Sequence, residues 1–83
     1  MSMNFERAAM RGKLAEAETN RVRLKNKFDA LARSIRQGIN TALAPAEEIE
    51  MAELSTIWSD LETTWAELLS TRSDIERLQK ELS

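Results

Sequence analysis

The chain contains no histidine, cysteine or tyrosine, so proton transfer or covalent catalysis would have to rest on carboxylates, lysines or unassisted hydroxyls. Most of the carboxylates, among them Glu47, Glu48, Glu50, Glu53, Asp60 and Glu62, lie at positions that solvent normally covers on a helix. Serines and threonines are numerous, but no base is present to activate them. Gly12 and Gly38 stand alone and form no phosphate-cradling loop. A thiolate zinc site and the Glu-x-x-His pairs of carboxylate-bridged di-metal bundles lack their ligands. The sequence therefore predicts neither an enzyme nor a bound metal or cofactor.

Two groups of residues have spacing suited to recognition. Trp58 and Trp65 are one heptad apart and project from the same face of a helix. They are assigned to a buried seam between leucines, or to a dimer seam, in preference to a stacking platform for bases. The second group is basic: Arg21, Arg23, Lys25 and Lys27 split on a helix into two stripes, and Arg33 and Arg36 extend the charge toward the middle of the chain. Such a surface can contact phosphates. Against that use, the net charge is −2 and no nucleic-acid-binding motif is recognisable.

Helices must position both groups. With two glycines, one proline and 31% charged residues, the chain has the composition of long helices or coiled coil. Before the proline, apolar residues at Met3, Met10, Leu14, Ala17, Leu24, Phe28, Leu31, Ile35 and Ala42 follow heptad spacing, with Leu14, Phe28 and Ile35 at a and Met10, Leu24 and Leu31 at d. Arg7 and Arg21 interrupt the a row. Gly38 interrupts the d row and marks either close approach of a partner helix or fraying. After the proline, Leu54, Leu61, Leu68, Ile75 and Leu82 recur every seven residues as d, with Met51, Trp58 and Trp65 as a. Pro45 suits the first helical position, and Glu47 and Glu48 suit the positive end of the helix dipole. The expected architecture is all-α, a single domain over residues 1–83 forming an antiparallel, coiled-coil-like hairpin. Helix 1 spans about 4–42, the turn about 43–45 and helix 2 about 46–82.

Facing residues in an antiparallel pair have a constant sum of numbers. A sum of 89 sets Ile35 against Leu54, Leu31 against Trp58, Phe28 against Leu61 and Leu24 against Trp65. Residues 1–36 carry nine Lys or Arg against four Asp or Glu, and residues 37–83 carry three against ten. Attraction between a basic and an acidic arm favours the antiparallel pairing.

A single core in so short a chain yields only roughly 3 to 5 kcal/mol. Ile57 and Leu78 at g, with Ile39 and Leu69 at e, widen the apolar stripe beyond one seam. The expectation is a self-associating interaction module, a homodimer forming a four-helix bundle or a tetramer, that also binds another protein. Its interface candidates are Ile57, Trp58, Leu61, Trp65, Leu68, Leu69, Phe28, Leu31, Ile35 and Ile39. A nucleic-acid accessory role through Arg21, Arg23, Lys25, Lys27, Arg33 and Arg36 is the alternative. Neither a signal-type apolar run at the start nor a membrane-spanning stretch is evident, so the expected location is cytoplasmic.

Overall fold

In the computed structural model the chain is described from residue 2, with side chains from Asn4 onward; Met3, the first seam position above, lies outside the described side chains. Two α-helices, α1 (Ser2–Gly38) and α2 (Met51–Leu82), pack against each other as a hairpin, and no strand occurs among the described residues. The rod measures 66 × 16 × 15 Å over its Cα atoms.

The connection is longer than the sequence implied. α1 stops at Gly38 rather than near residue 42, and α2 starts at Met51 rather than Ala46. Asn40 explains the early stop: its side-chain Oδ1 accepts a hydrogen bond from the Ala42 amide at 3.0 Å, while the Leu43 amide donates to Asn40 O at 3.0 Å. This side-chain bond offers the backbone a turn in place of another helical residue. Pro45 does not open α2. It precedes a single 3₁₀ turn (Ala46–Glu48), after which Ile49 is extended at φ −67°, ψ 129°. Half-buried Ile49 precedes the cap residue Glu50, and buried Leu54 follows five residues later. These are the two positions of a hydrophobic staple, which sets the angle at which the chain enters the helix.

The seam of α1 largely follows the expected row: Leu24 is fully buried, and Met10, Leu14, Ala17, Phe28, Leu31 and Ile35 are half-buried. Arg21 is exposed, and Asn20 turns inward in its place. On α2 the d row also lies inward, but its partner row is g rather than a. Leu54, Leu61, Thr64, Thr71, Ile75 and Leu78 are buried, with Ile57, Leu68 and Leu82 half-buried between them. The a row is outside the hairpin core: Trp58 and Trp65 are 53% and 55% exposed, and Met51 is 68% exposed.

Size and hydrogen bonding account for the choice. The g row consists of Ile57, Thr64, Thr71 and Leu78, side chains small enough for the helices to close. The indoles and Arg72 would hold them apart. The threonines enter the seam because their hydroxyls are satisfied. Thr64 Oγ1 donates to Asp60 O at 2.8 Å, and Thr71 Oγ1 accepts from Asn20 Nδ2 at 3.5 Å. Among the described residues no buried side-chain polar atom is left without a partner.

The register shifts accordingly. A Cβ built on Gly38 would lie 3.3 Å from Leu54 Cγ and would overlap Cδ2, so this pair faces with a sum of 92; Asn20 and Thr71 face with a sum of 91. Gly38 therefore marks a close helix approach. At the other end half-buried Arg7 reaches the last turn of α2, where its Nη2 donates to Leu82 O at 2.8 Å. A cation at that end also meets the negative pole of the helix.

Candidate interaction face

With d and g turned inward, two rows flank the seam of α2 on opposite sides. Met51, Trp58, Trp65 and Arg72 form one; Glu53, Asp60, Glu67, Asp74 and Glu81 form the other. Both rows repeat every seven residues, so each keeps its side along the whole helix. The lining of the clefts between the helices agrees with this division. Phe28, Trp58, Leu61, Glu62 and Trp65 line one cleft, and Arg21, Lys25, Trp65, Leu68, Leu69 and Arg72 line the next along the same side. On the other side Asp74 shares a cleft with Lys13, Asn20 and Thr71.

The aromatic face is thus an apolar strip close to the turn, bounded toward the termini by three cations. Trp65 stands at the boundary, with Phe28 and Trp58 in the cleft on one side and Arg21, Lys25 and Arg72 in the cleft on the other. The ion pairs among the described residues are those of Arg77 with Asp74 and with Glu81, both at 3.8 Å on the exposed side of α2. Arg21, Lys25 and Arg72 take part in neither.

The structure divides the interface candidates of the sequence reading. Leu61 is buried in the hairpin seam, while Phe28, Leu31, Ile35, Ile57 and Leu68 are half-buried along it. Trp58, Trp65 and Ile39 remain exposed, and Leu69 is half-buried beside Trp65. The basic candidates do not form one surface. Arg21 and Lys25 share a cleft with Trp65, whereas Arg23 folds back on its own helix, its Nε and Nη2 donating to Asn20 Oδ1 at 3.1 and 2.6 Å. Lys27, Arg33 and Arg36 are exposed.

The acidic row was not singled out from the sequence, although its period was visible there. It becomes meaningful only once the seam is known, because the inward face decides whether that row meets the partner helix, flanks the seam or points away from it. Glu47, Glu48, Glu50, Glu53, Asp60 and Glu62 are all exposed. Among the described residues no three of the acidic side chains converge as metal ligands, and no helix is long and apolar enough to cross a membrane. Comparison with protein-family models, curated proteins and solved structures finds no match to this chain.

Proposed function

We propose that the protein is a non-catalytic interaction module that works by helix packing and self-associates through its aromatic face. The observation that carries this reading is the exposure of Trp58 and Trp65 on one row of α2, at 53% and 55%. Large aromatic side chains left open on one side of a rod mark a contact surface, since water does not favour such a strip. The small intramolecular core points the same way: the buried apolar residues are Leu24, Leu54, Leu61, Ile75 and Leu78. Further burial against a second hairpin would add to it, and a four-helix bundle is the arrangement that covers a face of this shape. A chain without cysteine is compatible with a reducing cytoplasm, where we place it.

Sedimentation over a range of concentrations tests the reading. The wild-type protein is expected to exceed the 9.5 kDa of one chain, and Trp58→Ala with Trp65→Ala to return it to a monomer that keeps its helical circular dichroism. A wild-type monomer at every concentration would overturn the proposal.

A second reading, binding of single-stranded nucleic acid, draws on the grouping of Arg21, Lys25 and Arg72 around Trp65. Stacking on an indole combined with phosphate contacts is how such strands are held. The splitting of the other basic residues around α1 and the acidic row on α2 oppose it. Retention on single-stranded DNA or RNA that falls steeply with salt and is lost in Arg21→Glu with Lys25→Glu would favour this reading over the first.

A further inference from the structure

We infer that two copies pack their aromatic faces in opposite directions, with the turn of each hairpin pointing toward the termini of the other and a two-fold axis near Glu62. This inference rests on the self-association proposed above and specifies its geometry. Three features of the face lead to it.

The first is area. About half of each indole and two thirds of Met51 are exposed. A buried aromatic side chain contributes 150–250 Å². With half-buried Phe28 and Leu69 alongside, the strip therefore offers roughly 350–400 Å² of apolar surface per copy. Apolar atoms make up about 60% of an ordinary interface. A self-contact centred here would then cover roughly 600 Å² on each copy, or about 1,200 Å² in all, the lower bound for a stable, specific pair. A contact displaced along the rod would leave one indole uncovered and fall short of that bound.

The second is spacing. A two-fold axis midway between Trp58 and Trp65 sets Trp58 of one copy against Trp65 of the other, so that both indoles of both copies are covered at once. The same axis runs close to Glu62, which lines the cleft between them; packing with both turns on the same side would pair the two Glu62 carboxylates as well, so their repulsion does not choose the orientation. It also exchanges Met51 with Arg72, each one heptad outside the aromatic pair.

The third is charge. If both turns pointed the same way, Arg21, Lys25 and Arg72 would each stand near its own counterpart, six cations at one level. Opposed packing separates the two triplets along the rod and sets Arg72 of each copy against Met51 of the other, one heptad outside the aromatic pair. Like charges at one level of a contact therefore disfavour the orientation with both turns on the same side.

The absence of native cysteine allows a direct test by single-cysteine cross-linking of the full chain. Ser55, Glu62 and Leu69 lie on one row at heptad intervals. A disulfide requires Cα atoms about 4.4–6.8 Å apart. Opposed packing places residue 62 beside its own counterpart and residue 55 beside residue 69, while the two copies of residue 55 are about 21 Å apart at 1.5 Å per residue. The expected result is that Glu62→Cys cross-links with itself on oxidation and that Ser55→Cys mixed with Leu69→Cys gives the crossed product. Ser55→Cys alone stays uncross-linked. Self-cross-linking of Ser55→Cys and of Leu69→Cys would overturn the inference in favour of turns on the same side. A dimer by sedimentation that gives none of these products would overturn the use of this face. A monomer throughout would overturn both this geometry and the self-association beneath it.

Discussion

Gly38 and Leu54 are packed directly against each other: a single methyl on Gly38 would overlap the Leu54 side chain. Gly38 is the last residue of α1, and Leu54 lies in the first turn of α2. The contact therefore joins the helices at the end where the chain reverses.

Gly38→Ala has two opposing effects. Alanine is a better helix former by roughly 0.5–1 kcal/mol, but displacing a packed leucine costs roughly 1–3 kcal/mol. Net destabilisation of about 1 kcal/mol is expected in chemical denaturation. The sign should reverse when Leu54→Ala removes the obstacle, so a double-mutant cycle separates the two terms. Equal effects in both backgrounds would mean that the close approach does not matter.

The inward row makes a second contrast. Leu24 is fully buried and Trp58 is not, so Leu24→Ala should cost about 2–5 kcal/mol of hairpin stability. Under conditions where the protein is monomeric, Trp58→Ala should cost less than about 1 kcal/mol. Melting curves at low protein concentration distinguish them, and equal costs would return the indole to the core.

Thr64 is buried with its hydroxyl bonded to Asp60 O within its own helix. That carbonyl keeps its helical amide partner when the hydroxyl is removed, so Thr64→Val should be neutral or stabilising by up to about 1 kcal/mol. Thr64→Leu overfills the seam and should destabilise by about 1–3 kcal/mol, although leucine is the more apolar residue. Urea midpoints of the two variants check the ordering.

Arg7 donates to Leu82 O at 2.8 Å across the end of the hairpin. Arg7→Met retains the apolar stem and removes the charge-assisted bond, with an expected loss of about 0.5–1.5 kcal/mol. Hydrogen exchange should quicken in the last turn of α2 and stay unchanged near Leu54; uniform loss of protection would contradict a local capping role.

Glu50 caps α2 without a side-chain hydrogen bond, and Glu53 occupies the third helical position. Glu50→Ser creates the Ser-x-x-Glu capping box, worth about 0.5–1 kcal/mol. In a domain of this size that raises the melting temperature by several degrees. An unchanged melt would show that the staple of Ile49 and Leu54 already holds the helix start.

Much of the architecture can be read from residue types alone. One proline near the middle, two long stretches of helix formers and a leucine or isoleucine at every seventh position from Leu54 to Leu82 require two helices with one inward row each. The length of the connection could not be read in this way, because Pro45 at the start of a helix and Pro45 before a separate 3₁₀ turn look alike in sequence. The Asn40 side-chain bond and the extended Ile49 decide between them.

What the sequence determined by itself was the hairpin, the d row of each helix and the division of charge between the arms. Only the tertiary structure decided which neighbour of the d row on α2 turns inward. Hydrophobicity favours the tryptophan row and disfavours a row containing Thr64 and Thr71. Packing reverses that preference, because two helices in contact exclude indoles that threonines with satisfied hydroxyls do not obstruct. The same reversal leaves Trp58 and Trp65 on the surface, where their size favours contact with another molecule.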